Sequence, residues 1–179
     1  MRLLVVLTLV GAAVAQAQIP PPKLTAEQQK PVKTTIEGQE MFAIGFDRLA
    51  AFDYVVTDAG TGASEEEIAA AKKNDQIPGW VRVYDGKRVA LTGFLMPLKL
   101  EGGLTSKFIM MRDITTCCYG NVPNMNEYVI VTMTGAGVKP IQDVPVVLTG
   151  VFRIAEKYEN GYLSSIFQMD GEKFLGPRK

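Results

Sequence analysis

The second half of the chain consists of short runs of apolar and β-forming residues separated by turn signals. Five strand-like runs follow one another at residues 89–96, 107–112, 128–133, 146–154 and 162–169. The fourth run is the clearest, because Leu148 and Phe152 lie on one face of the predicted strand and Thr149 and Arg153 lie on the other. The Asn160-Gly161 pair that follows it is a strong hairpin signal.

Two of these runs carry a glycine at their centre, in V-A-L-T-G-F (89–94) and V-V-L-T-G-V (146–151). A glycine inside a strand usually marks a bulge, a tight bend or a close approach of another backbone. Two bent strands in a set of five are typical of a small closed or partly closed barrel. We therefore predict a mainly β fold, with a small OB-like antiparallel five-stranded barrel over residues 77–176.

The residues before the barrel have three different compositions. They divide into a signal peptide at 1–17, a Pro/Lys-rich flexible, disordered spacer at 18–38, and a lead-in segment with a short surface helix at 39–76. The signal peptide is indicated by one arginine, an apolar run and an A-x-A sequence that predicts cleavage after Ala17. The helix is indicated by Ser64 and Glu67, which have capping-box spacing.

This organisation predicts an exported protein, periplasmic or extracellular. The N-terminal apolar run is too short to cross a bilayer, so we expect no transmembrane span once the signal is removed. The chain has 19 basic and 19 acidic residues, and this balance gives no electrostatic reason to expect a nucleic-acid partner. A protein partner in the periplasm is the kind of partner that the predicted location allows.

The two cysteines of the chain, Cys117 and Cys118, are adjacent, and the chain contains no histidine. Thiolate and thioether groups select copper(I) and related soft ions, and zinc also takes thiolates. The predicted metal ligands are therefore Cys117, Cys118 and Met125, and copper and zinc are the candidate metals. Structural zinc usually has four nitrogen or sulfur ligands, and adjacent cysteines lack the C-x-x-C spacing of most zinc sites.

Two other roles stay open for the cysteine pair. A disulfide between Cys117 and Cys118 would be strained and easily reduced, as in a thiol–disulfide redox protein or sensor. Alternatively, both thiols fill space in a purely structural or interaction domain, because free cysteine behaves as a small hydrophobic residue.

A ligand-binding face is a further prediction, because OB barrels often bind through an exposed strand face. The candidates for that face are Trp80, Tyr119 and Asn121. The alternative for Trp80 is packing of the lead-in segment onto the barrel.

The sequence lacks the common catalytic signatures. Without histidine there is no Ser-His-Asp triad, and no G-x-S-x-G, P-loop or dinucleotide-binding motif is present. We predict no catalytic residues. The function that we expect is an exported non-catalytic binding module of unknown ligand, with soft-metal binding through the cysteine-containing loop.

Four segments in a fixed order resemble a known family. They read I-P-G-W-V-R-V-Y-D-G-K-R-V-A-L-T-G-F-L-M-P-L (77–98), K-F-I-M-M-R-D (107–113), T-T-C-C-Y-G-N-V-P-N-M-N-E-Y-V-I-V (115–131) and P-V-V-L-T-G (145–150). This order resembles exported bacterial proteins of the family called domain of unknown function 3299, and related "membrane or secreted" proteins. The resemblance implies a fold and a compartment, and it implies no reaction. In the better-known branch the cysteine loop reads C-I-H, where this chain has C-C-Y.

Overall fold

The part of the chain that the structure describes contains seven strands, two four-residue helices and a few further helical residues between them. The computed structural model describes residues 23–56, 64, 66, 69–70, 75–114, 122–160 and 162–178. The strands are β1 (Val32–Ile36), β2 (Gln39–Gly45), β3 (Arg88–Pro97), β4 (Lys107–Met111), β5 (Tyr128–Met133), β6 (Val146–Glu159) and β7 (Tyr162–Pro177). The helices are α1 (Phe46–Leu49) and α2 (Gly79–Arg82).

Five strands form a partly closed ring. Their order is β3-β4-β5-β7-β6, and a further pairing of β6 with β3 returns to the start. β3 closes the ring because it pairs with both of its neighbours in the ring, with β6 along residues 88–93 and with β4 along residues 94–97. The β5–β7 pairing is parallel, and the other ring pairings are antiparallel. The mainly β, OB-like prediction is confirmed at this level, with five ring strands at the predicted places.

The two mid-strand glycines lie where other atoms leave no room for a side chain. A Cβ on Gly93 would lie 2.6 Å from the Phe46 ring and 2.9 Å from the Met111 carbonyl oxygen. A Cβ on Gly150 would collide with the Asp170 carbonyl oxygen, next to a register shift in the β6–β7 ladder. The glycines therefore mark a close approach and a bulge, which is what glycine inside a strand usually indicates.

The core lies inside the ring and is capped at one end by the two helices. Each ring strand contributes large buried apolar side chains, among them Leu91, Phe108, Val131, Leu148, Phe152 and Phe167. α1 adds Phe46 and Leu49, and α2 adds Val81. Burial of apolar surface of this extent is the main favourable contribution to folding.

A β-hairpin extends the sheet on the outer side of β3. β1 pairs antiparallel with β2, and β2 pairs parallel with β3. β1 lies within residues 18–38, where the composition suggested a flexible spacer. V-K-T-T-I is rich in β-formers, and Glu37 and Gly38 both have positive φ angles, of 51° and 80°, as type I′ hairpin turns require.

Two other predictions fall largely outside the described residues. The signal peptide at 1–17 lies wholly outside them. Within the predicted helix, residues 66, 69 and 70 are helical and exposed, and its other residues, apart from Ser64, are outside the described part. Among the residues that the structure describes, no helix has the length and apolar character needed to cross a membrane.

We expect Gly150→Ala to lower the free energy of unfolding by about 1–3 kcal/mol, because the added methyl group forces the β6 and β7 backbones apart. Urea denaturation of the purified variant measures this. Gly135→Ala is the matched control, because a Cβ there meets no atom within 4 Å. Equal stabilities for the two variants would contradict the close approach at Gly150.

Candidate functional site

The cysteine-containing segment is the connection between β4 and β5. Cys117, Cys118, Tyr119 and Asn121 lie outside the described residues, so the structure gives no position for these side chains. It does describe both ends of the connection, up to residue 114 and again from residue 122. These ends show how the described residues on either side of the segment contact each other.

Arg112 and Glu127 join the two ends of the connection through a backbone hydrogen bond and an ion pair. The Arg112 backbone N–H donates to the Glu127 carbonyl oxygen at 3.0 Å, and Arg112 Nη1 lies 3.0 Å from Glu127 Oε1. The Asn124 N–H donates to Glu127 Oε2 at 3.0 Å. Both carboxylate oxygens of Glu127 are therefore engaged, and we call this arrangement the neck. An open cavity of about 160 Å³ lies beside it, lined by Arg112, Asp113, Pro123 and Glu127.

Asn126 fixes the neck to the segment that follows α1. Its side chain is only 3% exposed, and Nδ2 donates to the Phe52 carbonyl oxygen at 2.5 Å. Phe52 packs edge-on against Trp80, with ring centroids 6.2 Å apart, and against Phe167. Trp80 is partly buried against the core. The neck, the Phe52 segment and α2 therefore meet at one end of the ring.

Met125 lies at the base of the cysteine-containing segment and packs against the core. The Tyr128 hydroxyl group donates to the Ser164 carbonyl oxygen at 2.8 Å and also contacts the Met125 sulfur at 2.9 Å. Burial raises the pKa of Tyr128 to about 12, because the buried phenolate would lose its hydration. Of the predicted site residues, the structure thus places Trp80 and Met125 at the same end of the ring.

The described residues include no group of three or more His, Cys, Asp or Glu side chains that could hold a metal ion. In particular, the carboxylate of Glu127 is already occupied by Arg112 and by the Asn124 N–H. Both cysteines lie in residues 115–121, outside the described part of the chain.

Comparison with known proteins decides the family. The family model described as "Protein of unknown function (DUF3299)" matches residues 23–175. The chain belongs to the DUF3299 family. The match begins upstream of β1, so the β1–β2 hairpin is part of the matched region along with the ring.

A solved structure of another DUF3299 protein has a similar fold. The crystal structure of a DUF3299 family protein from Pseudomonas aeruginosa PAO1 matches with a TM-score of 0.51 and 17% sequence identity. The alignment covers 76% of this chain and 96% of that chain. At this identity the likeness concerns the fold alone. A search of curated proteins found no match.

Sequence reasoning did not identify the neck or the role of Asn126. Arg112 and Glu127 stand fifteen positions apart, and neither forms a spacing motif with the other. The pairing follows from the register of β4 with β5, in which Met111 lies opposite Tyr128. Strands at 107–112 and 128–133 were predicted, but their pairing with each other and its register were not.

Glu127→Ala is expected to lower the free energy of unfolding by about 1 kcal/mol, because it removes a partly exposed ion pair and one backbone hydrogen bond. Hydrogen exchange should also become faster at the Asn124 amide. Glu101→Ala is the control, since Glu101 and its partner Lys99 are both highly exposed. An unchanged exchange rate at Asn124 would contradict the neck.

Tyr128 should make stability depend on alkaline pH. An unfolded tyrosine titrates near pH 10, whereas burial raises the pKa of Tyr128 to about 12 in the folded chain. The folded state therefore favours the neutral phenol, and this stabilisation is present below pH 10 and is lost between about pH 10 and pH 12.

We expect Tyr128→Phe to lose stability less steeply over this pH range than the wild type, as measured by urea denaturation at several pH values. Tyr162→Phe, at an exposed position, is the control and should retain the wild-type slope. If stability falls with pH equally steeply in the wild type and in Tyr128→Phe, the pKa of Tyr128 is not raised by burial.

Proposed function

We propose that this DUF3299 protein is an exported, non-catalytic binding module that holds a soft metal ion through Cys117 and Cys118. The observation that supports this proposal is the neck, which joins both ends of the cysteine-containing segment at the end of the ring. A binding loop on a rigid β scaffold is a common arrangement, because the scaffold limits the conformations that the loop can take.

The available ligands favour copper(I) over zinc. Two thiolates and a thioether form a soft donor set, which copper(I) accepts at low coordination number. Structural zinc usually needs four ligands, and the chain has no histidine to complete such a set. Glu127 is engaged by the neck, so a carboxylate from this position would become a ligand only if the neck opened.

Met125 is expected to contribute less to metal affinity than the two cysteines. Its sulfur contacts the Tyr128 hydroxyl group and its side chain packs against the core. To bind a metal, the thioether would exchange that contact for the metal, which reduces the net gain. We therefore assign the main affinity to the two thiolates and a smaller contribution to Met125.

The test is a copper(I) titration of the reduced mature protein under anaerobic conditions, in competition with a chromophoric chelator. We expect one copper ion per chain. Cys117→Ser/Cys118→Ser should weaken binding by more than about 100-fold, since loss of even an outer-shell group costs about 10–100-fold. Met125→Leu should weaken it by a smaller factor. Met110→Leu is the matched control, because Met110 is completely buried in β4.

Intact-mass measurement of protein isolated from its export compartment distinguishes the competing roles. Free thiols that alkylate without prior reduction, together with copper uptake, support the proposal. If the measured mass is two hydrogens below that of the reduced chain and the cysteines resist alkylation, the pair forms a disulfide. This result would instead indicate a redox role. Free thiols with no metal uptake would indicate a structural or interaction domain. The same spectrum tests cleavage after Ala17.

A further inference from the structure

A buried arginine lies on α1. Arg48 is 8% exposed, and Nη1 donates to the Tyr84 hydroxyl oxygen at 3.1 Å. Tyr84 is itself fully buried and packs edge-on against Phe42, with ring centroids 5.7 Å apart. The guanidinium group is therefore held at a defined place by a neutral hydrogen-bond partner.

Arg48 differs from the arginines that form ion pairs. The arginines that form ion pairs among the described residues are Arg82, Arg88, Arg112 and Arg153, whose side chains are 42–55% exposed. Arg48 is much more buried than any of these, and it takes part in no ion pair within the described part of the chain. The neighbouring Asp47 is exposed, and its Oδ1 lies over Gly45 rather than on the guanidinium group.

Among the described residues, most of the donor capacity of the Arg48 guanidinium group has no acceptor. Arginine has five N–H donors, and Tyr84 accepts from one nitrogen. No fully buried side-chain nitrogen in the described residues lacks a hydrogen-bond partner. Within the described part of the chain, Nε and Nη2 of Arg48 have no hydrogen-bond partner, which places them at the small exposed part of the residue. Buried charges in proteins are normally paired, because removing a charge from water is costly.

We propose that Arg48 binds a small monocarboxylate ligand at this opening. The Nε–Nη2 edge presents two parallel N–H donors, and their geometry matches the two oxygens of a carboxylate. A single guanidinium group balances one negative charge, so a monocarboxylate is better matched than a doubly charged phosphate. The site uses α1 and Tyr84, so it is independent of the metal site proposed for the β4–β5 connection.

Side-chain NMR of the mature protein tests this directly. The Arg48 Nε–Hε resonance, assigned by its loss in Arg48→Met, should shift saturably as sodium acetate replaces sodium chloride at constant ionic strength. The Arg153 resonance is the internal control, because Arg153 is exposed and already paired with Asp170. No saturable shift at Arg48, or an equal shift at Arg153, would overturn the proposal. A carboxylate of the chain itself on Arg48 would also appear as the absence of a shift.

Thermal stability gives a second readout. Acetate should raise the melting temperature of the wild type and of Arg153→Met relative to chloride, because a ligand that binds only the folded state stabilises it. Arg48→Met/Tyr84→Phe removes the charge and the hydroxyl group together, and it should show no acetate-dependent rise. An equal rise in the double variant would overturn the proposal. If the double variant does not fold, the wild-type NMR titration alone decides.

Discussion

The pairing of β3 with two different ring strands is the constraint that fixes the fold. β3 pairs with β6 along residues 88–93 and with β4 along residues 94–97, and these two pairings together close the sheet into a ring. The two pairings meet at Gly93, where the Phe46 ring and the Met111 carbonyl oxygen approach the backbone too closely for a side chain. α1 is thereby seated against the point at which the ring bends. A larger residue at this position would force α1, β4 or the bend itself to move.

The position of the candidate site follows from the same closure. Because β4 ends at the bend, its last residue Met111 lies beside Gly93 and opposite Tyr128 of β5. The β4–β5 connection therefore leaves the ring next to α1, and Asn126 can reach the Phe52 carbonyl oxygen. The neck, α1 and α2 share one end of the ring for this reason. The metal site is proposed on the β4–β5 connection, and the carboxylate site is proposed on α1 and Tyr84. Both lie at this end of the ring.

The sequence was informative wherever the signal was local. Short runs of β-forming residues located all five ring strands, and the two mid-strand glycines indicated a bulge, a bend or a close approach. The atoms that approach these glycines belong to residues far away in the chain, so their identity was not predictable. The β1–β2 hairpin was missed, since the prolines and lysines around it outweighed a short run of β-formers. Its position depends on the parallel pairing of β2 with β3, across more than forty residues of chain. The burial of Arg48 and the Asn126–Phe52 hydrogen bond depend on similar long-range contacts, and no local pattern encodes them.

The central functional claim is that the thiols of Cys117 and Cys118 bind a soft metal. X-ray absorption at the copper edge of copper(I)-loaded protein tests it most directly, because it reports which elements surround the metal. We expect a first shell of sulfur atoms alone, which disappears in Cys117→Ser/Cys118→Ser. A first shell of oxygen or nitrogen, or the same spectrum from the double variant, would contradict it.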